Sequence, residues 1–321
     1  VSVRVALIGC GAWGQNLLRT LGESPIAQLV AVADASPARR DFARAHAPAS
    51  ARIVATLEEA IEAGARAVVI ATPSTTHANV ALAAIEAGMD VLVEKPLALT
   101  AAEADVCAAR AAATGRVGMV GHLLRYHPAV RRLLALVEEG HLGEVRHLGA
   151  ARLSIRGDRT VSALWSLGPH DLSVLHALDP RGFSTIEAVT AAGGDPVVLH
   201  ARTDKGITAR IELSRAHPTK ERRIVVVGTA RTAVLDDVRA PDRIVVARSE
   251  GGQLEEEIRV AWREPLAVEI EHFLSCVEDR ARPLTPFEEG AAVVRALAEA
   301  EVFREVGSRA ATLPLDAGEA R

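Results

Sequence analysis

The stretch Val3–Gly14, VRVALIGCGAWG, constrains the chain more than any other. A short apolar run ends in Gly9-Cys10-Gly11-Ala12-Trp13-Gly14, and an amphipathic segment, QNLLRTLGE, follows at once. Strand, glycine turn and helix in that order present backbone N–H groups at a helix N-terminus, where they can hold a pyrophosphate. Gly9 suits the tight turn, Gly11 the close approach of the phosphates, and Gly14 the packing of helix on strand. The bland alternative is a set of glycines that serves only a buried α/β turn. Asp34 argues against it, standing at the end of the next apolar run, LVAVAD. There its carboxylate meets the ribose hydroxyls of an adenosine and repels a 2′-phosphate. NAD is expected over NADP, although Arg39 or Arg40 could admit the phosphate or stack on adenine.

The next segments repeat the alternation. Leu29–Ala33 reads as a second parallel strand, followed by a helix from Pro37 to about Ala47 and a short strand over Ile53–Ala55. Thr56-Leu-Glu-Glu is a helix-capping pattern. Strand Ala67–Ala71 leads into Thr72-Pro73-Ser74-Thr75-Thr76-His77 and a helix ending at Gly88. Met89–Val93 runs into Glu94-Lys95-Pro96, Thr100 caps a helix to Thr114, and Val117–Val120 is the last strand of this half. Strands alternating with helices over short loops predict a doubly wound parallel sheet, a Rossmann domain over residues 1–121.

Past Gly121 the texture changes. A helix is expected over Pro128–Glu139, a strand over Glu144–Ile155 and a helix over His170–Leu178. Strand-like runs then follow closely: Thr185–Ala191, Val197–Ala201, Thr208–Leu213, Arg222–Val227, Ala233–Leu235 and Ile244–Val246. Turn signals, Gly193-Gly194-Asp195 and Asp204-Lys205-Gly206, lie between them. Successive strands without intervening helices predict a large open, mostly antiparallel sheet in an α+β domain over residues 122–321. Two helices, Pro265–Glu278 and Glu288–Val306, close the chain, with the last ten residues loosely held. These helices can pack back on the first domain.

Composition narrows the partners. A formal net charge of −4 argues against nucleic acid or an anionic membrane surface. Cys10, Cys107 and Cys276 are too far apart for a disulfide framework or a metal cluster, and no HExxH motif is present, so no metal is expected. Val1–Ile8 reads as a strand, not a leader, and the cytoplasm is the expected location. Of 37 basic residues only positions 95, 205 and 220 are lysine. Arginine serves wherever any positive charge will do, so a lysine here suggests a use for the primary amine.

Lys95 follows directly on a strand whose carboxyl end faces the expected crevice. An ammonium there can donate to a substrate hydroxyl and stabilise alkoxide character; the plain alternative is a surface pair with Glu94. His170, in Trp165-Ser166-Leu167-Gly168-Pro169-His170-Asp171, is read near a helix N-terminus, which favours the neutral imidazole a general base requires. Its plain alternative is a packed histidine bonded to Asp171. His122, His127 and His77 are weaker candidates. Gly121-His122-Leu123-Leu124-Arg125-Tyr126-His127-Pro128 joins the two halves; its Arg, Tyr and His could bind sugar or phosphate, or could tie the halves together.

GCGAWGQNL, ATPSTTH, VLVEKPLA, GHLLRYHPAV and LWSLGPHDLS together resemble the glucose-fructose oxidoreductase / inositol dehydrogenase / MocA family over nearly the whole chain. HPTKERRIVVVGTARTAVLDD and EPLAVEIEHFLSCVEDRARP resemble its nucleotide-sugar 3-dehydrogenase branch, which acts on UDP-N-acetylglucosamine derivatives such as the uronic acid. The resemblance implies that Lys95 and His170 flank the reacting carbon. It also implies that Thr72, Pro73, His77, Glu94 and the loop residues Ala12 and Trp13 line the cofactor, and that Arg125, Tyr126, His127 and Ser166 lie near the substrate. It further implies a homodimer or homotetramer formed through the second sheet.

Two positions depart from the family pattern. Ser166 stands where many members carry Asp, so the Lys-Asp-His relay of polyol dehydrogenases is incomplete, although the nucleotide-sugar branch often has Ser there. His127 stands where RYNP would place Asn. The leading expectation is an NAD-dependent dehydrogenase of a secondary alcohol on a nucleotide sugar. A keto-sugar reductase or free-sugar or polyol dehydrogenase is the alternative within the enzymes, and a non-catalytic dinucleotide-binding regulator is the alternative outside them.

Overall fold

A computed structural model describes residues 2–155, 161–191 and 194–310, the side chains of 302–310 excepted. The final ten residues and Gly193 of the expected turn lie outside the described residues.

Six strands form the first sheet: β1 (Val3–Ile8), β2 (Ala27–Ala33), β3 (Arg52–Val54), β4 (Ala67–Ile70), β5 (Asp90–Glu94) and β6 (Gly118–Gly121). All are parallel, in the order β3-β2-β1-β4-β5-β6. Helices on both faces explain why β4 and β5 are buried at every residue. They include α1 (Gly14–Glu23), α2 (Pro37–His46), α3 (Leu57–Glu62), α4 (His77–Glu86) and α5 (Ala101–Thr114). The local chemistry agrees with the sequence signals: Thr56 and Glu59 close a capping box, Thr100 caps α5, and Pro37 opens α2. The strand order reverses between β1 and β4, which opens a crevice at their carboxyl ends.

The second sheet has eight strands in the order β14-β13-β12-β11-β7-β10-β9-β8. These are β7 (Val145–Leu153), β8 (Phe183–Thr190), β9 (Val197–Thr203), β10 (Thr208–Ser214), β11 (Glu221–Gly228), β12 (Arg231–Asp236), β13 (Arg243–Arg248) and β14 (Leu254–Arg259). β7 and β10 run parallel; the other neighbours are antiparallel. The sequence, LEEEIR, gave no expectation of β14. It is an edge strand, held to β13 through Ile258 opposite Ile244 and the Arg243–Glu257 ion pair at 2.9 Å. Charge on an edge guards it against pairing with other chains.

Helix α7 spans Ala163–Leu178, so it begins seven residues before His170, where the sequence reading started it. Ser162 caps it, and Pro169 lies inside it. Gly168-Pro169 is a local breaker, but tertiary packing overrides it. A Cβ on Gly168 would lie 2.9 Å from Leu297 of α9 (Phe287–Ala310), so the two helices meet closely at this point. Leu164, Trp165, Leu172 and Leu175 are buried along the same helix. Each large apolar side chain so buried contributes about 1.5–3 kcal/mol, enough to outweigh one missing N–H.

α8 (Pro265–Asp279) returns to the first sheet. Its Leu266, Ile270, Phe273, Leu274 and Val277 share a buried cluster with Val5, Leu7, Leu17 and Leu21. α9 packs on α5, α7 and β8. The remaining helix, α6 (Pro128–Glu138), follows the connection out of β6.

Candidate active site

At the glycine turn, Gly9 has φ +98°, and a Cβ there would lie 2.5 Å from the Ala71 carbonyl oxygen. A Cβ on Gly14 would lie 2.2 Å from the Gly9 carbonyl oxygen. A Cβ on Gly11 would meet nothing within 4 Å, so the loop faces open space there. Trp13, at the N-cap of α1, contributes no side-chain cap, and the first turn holds no acidic residue. The helix thus presents its N-terminal dipole to the crevice, where an anion is favoured.

Asp34, at the end of β2, accepts from the Cys10 N–H at 2.7 Å and the Ser36 N–H at 2.8 Å. Two backbone donors fix the carboxylate yet leave it lone pairs for hydroxyl groups. Arg40 spends its guanidinium on the Asp34 and Ala35 carbonyl oxygens at 2.8 and 2.9 Å, whereas Arg39 is exposed beside the same loop. Trp13 donates its indole N–H to Glu94 across the crevice, and the Lys95 N–H donates to the same carboxylate at 3.3 Å. Burial raises the Glu94 carboxyl above its ordinary value, against the lowering from Trp13 and Lys95.

Lys95 is half-buried, while Lys205 and Lys220 are exposed. Its Nζ donates to the Ser166 carbonyl oxygen at 2.8 Å. Ser166 lies one helical turn before His170 on α7, so the ammonium and the imidazole share one face of that helix. Burial, then the charges of Lys95 and Arg152, holds His170 well below its ordinary pKa. The Nδ1 of His170 is buried with no protein partner. Asp171 does not bond to it. It points to β7 and takes Arg152 in a two-point pair, at 2.9 and 3.0 Å.

Four expected site residues are held by protein partners. His77 is 2 % exposed, with Nδ1 2.7 Å from the Pro96 carbonyl oxygen and Nε2 2.9 Å from that of Thr72. With both ring nitrogens against backbone carbonyls, it braces the loop at Thr72-Pro73. The Lys95–Pro96 bond beside it is cis. Arg125 is buried and donates to Glu289 at 2.7 Å and to the Ser173 carbonyl oxygen at 3.3 Å. Thr285 donates to the Val120 carbonyl oxygen, so Tyr126, 1 % exposed, donates its hydroxyl to Thr285 at 2.8 Å. His127 accepts from the Ala129 N–H through Nδ1 at 3.2 Å and turns Nε2 to Asp237 at 3.1 Å. It caps α6, the duty an Asn performs at such a position. These three side chains tie the connection together, the alternative the sequence left open.

Two residues were missed. Glu269 on α8 is wholly buried, and neither carboxyl oxygen has a protein partner; burial and then the Glu94 charge raise its pKa well above the ordinary range. Helical spacing gave a signal, since Glu269 sits between Leu266 and Phe273 in the apolar stripe. Glu289 gave none, because its partner Arg125 is distant in sequence. Among the described residues no group of three His, Cys, Asp or Glu side chains is disposed to hold a metal ion. No helix among them is long and apolar enough to cross a membrane.

Residues 3–122 match a model described as an oxidoreductase family with an NAD-binding Rossmann fold. Over 312 residues the chain is 30% identical to a UDP-N-acetylglucosamine 3-dehydrogenase of Acidithiobacillus ferrooxidans, covering 94% of this chain and 96% of that one. The chain belongs to the Gfo/Idh/MocA oxidoreductase family. Another member, an inositol 2-dehydrogenase of Rhizobium meliloti, is 30% identical over 94% of this chain and 96% of its own. The solved structure of the Acidithiobacillus enzyme superposes with a TM-score of 0.86 at 27% identity, covering 95% of this chain and 99% of that chain. Membership makes this chain an NAD-dependent oxidoreductase, and the open Gly11 face, the uncapped α1 and the Asp34 carboxylate fit that cofactor.

Proposed function

We propose that this oxidoreductase removes hydride from a secondary hydroxyl of a sugar carried on a nucleotide, with His170 and Lys95 as its catalytic residues. The observation that carries the reading is the Lys95 contact with Ser166 at 2.8 Å, which sets an ammonium beside the helix face bearing a neutral imidazole. Bound nicotinamide supplies the hydride acceptor. His170 Nε2 takes the hydroxyl proton, and Lys95 donates to the same oxygen as negative charge gathers on it. In the reverse direction both groups donate.

Gly9, Gly11, Ala12, Trp13 and Gly14 would hold the cofactor's phosphates, and Asp34, with Arg39 near it, would hold the adenosine ribose. Thr72, Pro73 and Glu94 border the nicotinamide half. Residues 1–121 form the cofactor domain and 122–321 the substrate domain. Ser166 supports a nucleotide sugar over a polyol, since no carboxylate stands there to complete a relay. The Acidithiobacillus relative acts in its name on UDP-N-acetylglucosamine; the Rhizobium relative supports inositol as the second reading.

Purified enzyme with NAD is offered UDP-N-acetylglucosamine, its uronic acid and myo-inositol, and NADH absorbance is followed. Turnover on a nucleotide sugar with kcat/KM well above that on inositol supports the reading. Preference for inositol overturns it.

The enzyme also assembles as a homodimer or homotetramer through the second sheet. One face of that sheet packs on α7 and α9; the other shows alternate residues to solvent, among them Val189, 64% exposed. Sedimentation of a monomer at micromolar concentration defeats this. A cytoplasmic location fits Cys10, Cys107 and Cys276, all unpaired thiols.

A further inference from the structure

Five buried nitrogen atoms near the reaction centre have no protein partner: both ring nitrogens of His122, Nδ1 of His170, Nδ1 of His176 and Nε of Arg125. His122 is 1 % exposed, at the exit of β6, and α7 supplies the other two histidines. The groups are neighbours: Arg125 donates to the Ser173 carbonyl oxygen at 3.3 Å, midway between His170 and His176 on α7, and the turn at Leu123–Tyr126 that directly follows His122 packs on the same helix. Orphaned polar atoms are rare in a packed interior, and where several converge they are met by buried water.

The line also leads somewhere. Arg125 and His176 line a cleft of about 930 Å³ bounded by Arg181, Phe183, Glu289 and Arg295. This cleft lies between the end of α7 and the start of α9, and neither Lys95 nor His170 lines it. Oxidation of an alcohol releases one proton for each hydride transferred. Bound cofactor and substrate would exclude water from His170 Nε2. His170 Nδ1, at the back of the ring, is the atom that can release a proton inward.

We propose that His122 and internal water form a proton line from His170 to the cleft at Arg125 and His176. The inference rests on the reading of Lys95 and His170 as the reaction centre. The substrate hydroxyl gives its proton to His170 Nε2, and His170 gives its Nδ1 proton to water. His122 accepts a proton at one ring nitrogen while releasing one from the other, and water beside His176 carries it to the cleft. One proton leaves for each alcohol oxidised, and no further reactant is needed. Lys95, Arg152 and Arg222 act on the His170 end of this line, and Arg125, Asp179, Glu289 and Arg295 stand about its His176 end. Burial, then the charges of Arg125, His176 and Lys95, keeps His122 from resting as an imidazolium, so transfer through it is concerted.

A high-resolution crystal structure of the wild-type protein with NAD tests the path. Water within hydrogen-bond distance of both His122 nitrogens, and continuing to His170 Nδ1 and His176, is expected; a dry His122 overturns the proposal. His122→Phe and His122→Asn then separate relay from anchoring. Both variants are expected to slow oxidation roughly 10–10²-fold with a larger solvent deuterium isotope effect, while NAD affinity and KM hold. Unchanged turnover in both, or full recovery in His122→Asn, whose amide can hold water but cannot pass a proton, overturns the relay. If wild-type protein oxidises neither UDP-N-acetylglucosamine nor myo-inositol, the functional reading fails and the water path is decided by the crystal structure alone.

Discussion

The two ends of the crevice are built on opposite principles. At the dinucleotide end the polar groups are paired: Asp34 takes two backbone N–H groups, Arg40 two carbonyls, and Thr76 donates to Thr72 Oγ1 at 2.9 Å. At the proposed reaction end, Nδ1 of His170 and both ring nitrogens of His122 are buried and unmatched by protein. The first arrangement fixes a shape that a ligand can rely on. The second fixes protonation states, because a buried group without a counter-charge stays neutral. Holding a cofactor and moving a proton thus place opposite demands on neighbouring residues of one fold.

The sharpest way to separate the ends is to remove the reaction-end groups. Lys95→Ala and His170→Ala are each expected to lower kcat roughly 10²–10⁴-fold while calorimetry gives the wild-type NAD affinity. Loss of NAD binding in either would erase the distinction. Next in size is the Arg152–Asp171 pair behind the site, both partners buried. Arg152→Met strands a carboxylate, and urea denaturation should register a loss of about 3–5 kcal/mol. Arg152→Met combined with Asp171→Leu should regain most of it. Asp34→Ala tests the other end: NAD affinity should weaken by about 1.5–3 kcal/mol with kcat at saturating NAD retained.

The smallest effect is read by pH. Burial first, then the charges of Arg125, His176 and Lys95, lowers the His122 pKa to about 3. The unfolded chain takes up this proton near 6.5, before the folded one does. The stability associated with neutral His122 is therefore complete above about 6.5 and is lost as pH falls toward 3, at no more than about 1.4 kcal/mol per pH unit. His122→Phe should flatten that slope in denaturation curves taken from pH 7 to 5. Because His170 is also held neutral, the oxidation rate should not drop between pH 7 and 6 for want of its base.

Legibility in the sequence follows the same division. The glycine turn, Asp34 and the capping Thr residues act through contacts close in the chain or through a backbone geometry that few residues adopt, so their spacing discloses them. Lys95 was legible because a parallel strand must end beside the crevice. The Gly168-Pro169 pair misled locally, since the packing that holds α7 intact comes from Leu297 on α9. For Tyr126 and His127 the choice between binding a ligand and tying the halves together stays open in the sequence, because their partners, Thr285 and Asp237, stand far along the chain. The apolar stripe of α8 marks Glu269 as buried, but that it and His122 lack partners is decided only in the finished interior. No local pattern records that.

The brace formed by His77 has one more effect. Its ring spans the carbonyls of Thr72 and Pro96, so the loop on the cofactor side and the turn bearing Lys95 move as one body. A dinucleotide that shifts the first carries the ammonium with it. A shift of that kind would link the affinities of cofactor and substrate by an equal factor in each direction.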